Sequence, residues 1–121
     1  MRLLKKVGYI DFPCHNSKFM IKYDEISDKY YSVATRIYAG NGTNRNLLSL
    51  MVSDDLESWS IATDIYDYRG VDDEHIGFQY VDFEIEGEDI IFLCRTAMNK
   101  AHNFHDSNYS TFHRIQKFRK I

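Results

Sequence analysis

The sequence predicts an all-β fold built from short antiparallel strands. Three observations carry this reading. Residues 78–84 alternate apolar and polar side chains with a period of two, as a half-buried strand requires. Turn-prone clusters recur at hairpin spacing along the chain. No segment repeats apolar residues at i, i+3, i+4 and i+7 as an amphipathic helix would. Aromatic residues make up 15% of the chain, with nine Tyr and eight Phe, a composition that suits pleated, half-buried surfaces.

The elements follow in order. Residues 19–24 read as a strand, closed by the turn-prone 25–28, and 30–36 read as its return. Residues 39–45, AGNGTNR, are loop by composition. Strands are expected over 47–53 and 59–66, followed by an acidic, irregular 67–76. The alternating 78–84 is turned by Glu86, Gly87 and Glu88 into a strand over 89–95. Residues 99–108 form a polar loop, 109–117 the last strand, and 7–10 a further strand near the start. Sandwich, barrel and propeller all fit this pattern alone. The grouping narrows it: four strands precede the acidic linker and three follow, one four-stranded sheet and most of a second, as propeller blades would give.

The 121 residues amount to one domain, long enough to bury one ordinary core. A net charge of −3 gives no general pull toward phosphate backbones, so nucleic acid is not an expected partner. The basic tail at Lys117, Arg119 and Lys120 is expected to be a solvated end. No apolar stretch approaches the roughly 18 residues that span a bilayer, and the first dozen residues lack the apolar core of a signal peptide. The expectation is a cytoplasmic chain with no membrane contact. Cys14 and Cys94 share no metal-ligand spacing and are expected as buried free thiols rather than a disulfide.

One turn and the C-terminal third carry a resemblance. Ser53-Asp-Asp-Leu-Glu-Ser-Trp59 resembles the S-x-D-x-x-x-W turn of β-propeller glycosidases, a shortened sialidase Asp-box. Its physical content is a Ser or Asp side chain that bonds nearby backbone N–H groups, and a Trp that packs over the hairpin. Ser53, Asp55 and Trp59 are therefore structural turn residues. Residues 77–82 (GFQYVD), 94–97 (CRTA), 101–109 (AHNFHDSNY) and 111–114 (TFHR) are similar to the closing segment of bacterial sialidase-like proteins. Residues 12–19 (FPCHNSKF) resemble that family's F-P-G-G-x-S-K-F stretch, with Cys14 and His15 in place of two glycines. The resemblance spans residues 8–119 and implies the last one and three-quarter blades of a propeller. It divides the chain into a first blade with its leading strand over 8–66 and a second over 77–119. The family's arginine cluster, Asp acid/base and Tyr/Glu nucleophile pair do not map as a set onto this chain. The function implied is carbohydrate-related: a glycoside hydrolase-like domain that is active, inactive or purely glycan-binding. The competing reading is a non-catalytic assembly module built from blades.

Candidate site residues follow from the residues and that resemblance. His102, Asn103, His105, Asp106 and Asn108 fall within one loop. They would line a polar rim that bonds sugar hydroxyls or positions a carboxylate and an imidazole for proton transfer. The plainer reading is a loop bonded to itself. Arg95 would fork onto a substrate carboxylate, or pair with Asp82 or Asp106. On a regular strand Tyr80 and Asp82 share one face, and Gln79 and Val81 the other; Tyr80, Asp82 and Gln79 then join the site or bond between blades. His15 and Lys18, with Asn16 and Ser17, form a second candidate cluster for substrate. Asp82 and Asp106 are the carboxylate pair a hydrolase would need, roughly 5–9.5 Å apart across a cleft. His113 and Arg114 are read as structural, and Trp59, Tyr30, Tyr31 and Phe92 as core. No cofactor and no metal site is expected. Two blades cannot close a ring, so the chain is expected to form a homo-oligomer or to dock on a partner that carries the missing blades.

Overall fold

A computed structural model describes residues 19–36, 45–71, 75–98, 101 and 107–121. Seven strands form two antiparallel sheets. The first holds β1 (Ile21–Asp24), β2 (Lys29–Thr35), β3 (Leu47–Ser53) and β4 (Trp59–Asp67), in the order β1-β2-β3-β4. The second holds β5 (Gly77–Glu86), β6 (Asp89–Ala97) and β7 (Tyr109–Ile115), in the order β5-β6-β7. Every neighbour in a sheet is also the neighbour in sequence, so each connection is a hairpin-type return. The predicted strand over 7–10 lies outside the described residues, as do His15, Lys18, Cys14 and residues 102–106.

The core lies between the sheets. Tyr31, Val33, Leu48 and Leu50 of the first sheet meet Phe78, Phe83, Ile90 and Phe92 of the second. β2 and β3 are the strands of the first sheet that approach β5. The side chains alternate as the period of two dictates: Phe83, Ile90 and Phe92 are buried, while Glu84, Glu86 and Leu93 face outward. Each large side chain fully buried here contributes roughly 1.5–3 kcal/mol. β2 and β3 are buried on both faces, whereas β5 and β6 are covered on one face only.

Local chemistry sets the turns. Glu86 pairs directly with Asp89, so Gly87 and Glu88 form a two-residue turn, with Gly87 at φ +61°. Asp24 pairs with Lys29, and its carboxylate accepts the Ser27 N–H and hydroxyl at 3.2 and 2.6 Å, which fixes the turn between β1 and β2.

Strand ends differ modestly from the sequence expectation. β1 begins at Ile21, two residues later than expected, β5 runs on to Glu86 and β6 to Ala97. The larger correction concerns the tail, which is docked rather than solvated. β7 stops at Ile115, and the chain closes in a short 3₁₀ turn over Phe118–Lys120. Phe118 is 1% exposed and meets the Tyr31 ring edge-on at 4.9 Å. Charge at Lys117, Arg119 and Lys120 suggested solvent, but the single Phe among them has a place in the core. Once that ring is buried, Arg119 is brought within reach of Asp24.

Candidate functional site

Antiparallel connectivity sorts the connections between two ends of the molecule. The tight turns after β1, β3 and β5 lie at one end, together with the docked tail. The described ends of the three longer connections, at 36, 45–46, 68–71, 75–76, 98 and 107–108, lie at the other. Irregular backbone carried on a rigid scaffold is where binding residues concentrate.

At the loop end, residues 45–46 bridge the two sheets. The Arg45 carbonyl accepts the Phe78 N–H at 2.8 Å, and the Asn46 carbonyl accepts the Tyr68 N–H at 2.9 Å. Arg45 Nη1 donates to Gln79 Oε1 at 2.6 Å, while its buried Nε has no hydrogen-bond partner. Gln79, 5% exposed, donates in turn to Ser107 Oγ at 3.5 Å. Asn108 closes the base of the last loop: its side-chain amide donates to the Met98 carbonyl and accepts the Met98 N–H, at 2.7 and 3.2 Å. Asn108 thus holds its own loop, the plainer of the two roles open to it.

A β-bulge shapes the exposed part of the site. Gln79 stands opposite Arg95 and Asp82 opposite Leu93, so Tyr80 and Val81 together face Cys94. Strict alternation placed Gln79 and Val81 on one face; the extra residue breaks that pairing. Val81 enters the core, and Gln79 lies level with Arg95 on the other side. Tyr80 adopts φ +53°, a left-handed conformation that is rare for an aromatic residue. The Arg95 guanidinium lies 5.5 Å from the centre of its ring.

Electrostatics single out two arginines here. Arg36 is fork-paired with Asp64 at 2.9 and 3.0 Å, and Arg69 with Asp67 at 2.8 and 2.6 Å. These guanidinium groups hold both carboxyls below the usual range, Asp67 at about 2. Arg45 and Arg95 have no carboxylate partner among the described residues. Asp82 is exposed on the outer face of β5 and does not pair with Arg95. His102, Asn103, His105 and Asp106 lie outside the described residues, so Asp82 is the described member of the expected carboxylate pair. Among the described residues no group of His, Cys, Asp or Glu is arranged to hold a metal ion.

His113, expected from the sequence to be structural, lies in a second cluster. Tyr66 on β4 and His113 on β7 connect the two sheets, with Tyr66 Oη and His113 Nδ1 2.9 Å apart. His113 Nε2 lies 2.7 Å from Thr111 Oγ1, which lies 2.7 Å from Thr96 Oγ1. The imidazole stacks on Phe92 at 4.8 Å and meets the Tyr66 ring at 5.0 Å. Burial pushes its pKa down. A cavity of about 190 Å³ opens beside it, walled by Tyr66, Tyr68, Phe78 and Met98. Counting back by twos from the buried Ile115 puts His113 and Thr111 on the inward face, and that is the signal in the sequence for this cluster.

At the opposite end, the Ser53–Trp59 turn is closed by its own side chains. Ser53 Oγ accepts the N–H groups of Asp55 and Leu56 at 3.2 and 2.9 Å, and Asp55 Oδ1 accepts those of Glu57 and Ser58 at 2.9 and 2.8 Å. Those N–H groups lower the Asp55 pKa. Trp59 Nε1 donates to the Leu56 carbonyl at 2.9 Å, with Leu56 at φ +70°. Cys94 is a free, buried thiol whose pKa desolvation raises to about 11. No helix among the described residues is long and apolar enough to cross a membrane. Comparison with protein-family models, with curated proteins and with solved structures returns no match for the chain.

Proposed function

We propose that the chain is a pair of propeller-type blades, sialidase-like in kind, whose loop end binds acidic carbohydrate. The observation that carries this is the pair Arg45 and Arg95, which flank Gln79 without a carboxylate partner among the described residues, while Arg36 and Arg69 are neutralised. A guanidinium without a counter-ion is a fork for a carboxylate. Tyr80 beside Arg95 offers a ring face for the apolar side of a sugar. The turn closed by Ser53, Asp55 and Trp59, between the third and fourth strands of a four-stranded sheet, supports the blade reading.

Binding is favoured over hydrolysis, because a glycosidase needs two carboxyl groups facing across a cleft and Asp82 stands on an open strand face. The test is a glycan array followed by calorimetry with carboxylated and neutral sugars. Binding of a carboxylated sugar that falls at least tenfold in Arg95→Ala supports the reading. Equal binding of neutral sugars, or none at all, overturns it. Turnover of a fluorogenic glycoside that Asp82→Asn abolishes would establish a hydrolase instead.

A further inference from the structure

The outer face of the second sheet is where the molecule is unfinished. The central strands β2 and β3 of the first sheet are buried on both faces, whereas β5 and β6 of the second are covered on one. On the open face Leu93 is 51% and Phe112 60% exposed, side by side in the ladder between β6 and β7. A single exposed apolar residue is ordinary; two large ones adjacent at the centre of a sheet face point to a contact.

We propose that this face pairs with the same face of a second copy of the chain, through a two-fold axis lying along β6. The register makes the face self-complementary. Its rows read Asp82, Leu93, Phe112 and then Glu84, Ile91, Arg114 across β5, β6 and β7. A two-fold axis parallel to β6 keeps each row level and exchanges β5 with β7. Glu84 then faces Arg114 of the second copy, twice by symmetry. Leu93 and Ile91 meet their own counterparts at the centre. Lys22 occupies Oε1 of Glu84 at 3.0 Å, so one carboxylate oxygen remains for that contact. Arg114 reaches from β7 to Asp89 of β6 and Glu86 of β5 at 2.8 and 3.1 Å, so its guanidinium lies at the β5–β6 turn end of the face, where Glu84 of the second copy would join those two carboxylates.

Shape agrees with charge. A groove of about 160 Å³ crosses the face from β5 to β7, lined by Asp82, Glu84, Ile91, Leu93 and the chain's own Phe112. The exchange of β5 and β7 brings Phe112 of the second copy over it. Ile91 and Leu93 give that ring an apolar floor, and the positive edge of a ring suits the Asp82 carboxylate beside it. An apolar centre with charges at its margins is the anatomy of a protein–protein contact. Three strands spaced about 4.8 Å apart make a narrow patch, at the small end of specific interfaces. The dimer is therefore expected to be micromolar and reversible. It does not depend on any sugar.

Sedimentation velocity of the full chain from about 1 to 200 μM tests this. A monomer–dimer equilibrium with a midpoint in the micromolar range is expected. Leu93→Asp and Phe112→Ser, both at exposed positions, should each weaken it at least tenfold with an unchanged circular dichroism spectrum. Glu84→Arg should weaken it, and Arg114→Glu added to it should recover most of the loss. If Arg114→Glu unfolds the chain, a dimer that weakens as salt is raised supports the same charge pairing. A single-chain mass at 200 μM overturns the proposal. So does a dimer indifferent to Leu93→Asp and Phe112→Ser, or an assembly of three or more copies.

Discussion

Arg119 and Asp24 form a fork pair at 2.7 and 2.8 Å that ties the C-terminal turn to the first hairpin, 95 residues away in sequence. Asp24 is 4% exposed and also accepts both bonds from Ser27. Arg119 caps the Gly87 carbonyl at 2.9 Å and lies over the Phe118 ring at 4.6 Å. One guanidinium therefore joins β1, the β5–β6 turn and the tail. Arg119→Ala would leave the Asp24 charge buried without its cation, and breaking a buried pair costs about 3–5 kcal/mol. Part of the Arg119 side chain reaches solvent, which places the expected loss near the lower figure. Urea unfolding of Arg119→Ala against wild type measures it; a loss under about 1 kcal/mol would show the tail to be dispensable.

The same pair sets an acid limit. Arg119 foremost, with the Ser27 bonds, holds the Asp24 carboxyl well below its ordinary value. With the folded pKa depressed, the unfolded chain takes up the proton first. The stabilisation is complete above about pH 4, near the unfolded value, and is lost as pH falls toward the folded one. Unfolding followed from pH 5 to pH 2 should show stability falling in wild type. Asp24→Asn should start lower and fall less over that range.

Ser53 presents a simpler case. Its hydroxyl, on a residue that is 3% exposed, accepts two backbone N–H groups of the turn between β3 and β4. Ser53→Ala leaves both without that acceptor and should cost about 1–2 kcal/mol. Ser53→Asp, which restores an acceptor, should recover part of the loss. Thermal unfolding of the two variants distinguishes a bonded turn from one that any residue would serve.

Much of the sheet layout was readable from the residues, and the reason is physical. The period of two in β5 and the Gly87 turn are local signals, and they place β5 against β6 without reference to anything distant. β3 was anticipated residue for residue because Leu47 to Ser53 is a β-prone run between a glycine-rich loop and a serine–aspartate turn. The bulge at Tyr80 shifts the inward phase from Phe78 to Val81 and Phe83, but the aromatic Tyr80 reads as a plausible inward residue and so masks the slip in the sequence. Nor was the docking of Arg119: its partner is far off in sequence, and a short basic tail looks the same whether it is free or clamped. In the sequence Arg45 reads as loop composition, and its role depends on the meeting of two sheets that no local pattern encodes. The spread of His102, Asn103, His105 and Asp106 was visible as a cluster in sequence; these residues lie outside the described ones.

Tyr80 tests whether strain is kept for a purpose. A left-handed aromatic residue costs on the order of 1–2 kcal/mol, and Tyr80 is 45% exposed, so packing returns little. Tyr80→Gly should therefore stabilise the fold by about 1 kcal/mol while removing the ring beneath Arg95. A variant that unfolds at higher urea but binds carboxylated sugar more weakly would tie the strained residue to the site. A variant that loses stability would mean that the contact with Arg95 outweighs the strain.

His113 links the sheets and should make the fold sensitive to mild acid. Its imidazole is packed between the Phe92 and Tyr66 rings, with Tyr66 Oη and Thr111 Oγ1 at its two nitrogens. As a neutral ring it donates from one nitrogen and accepts at the other, and both hydroxyls can serve either role. Burial disfavours the charged form and depresses the folded pKa below 6.5. The sign follows from linkage: below about pH 6.5 the unfolded chain binds the proton more readily, so stability falls as pH drops through the folded pKa. Above that range the contribution is complete. An NMR titration should find one imidazole titrating below the ordinary histidine value, and urea midpoints should fall between pH 7 and pH 5. His113→Gln keeps a donor and an acceptor near Tyr66 and Thr111 but cannot take up the proton. Its stability should be lower than wild type at pH 7 and flatter toward pH 5. If the variant keeps the full acid dependence, the titrating group lies elsewhere and the bond between Tyr66 and His113 is not the acid-sensitive link between the sheets.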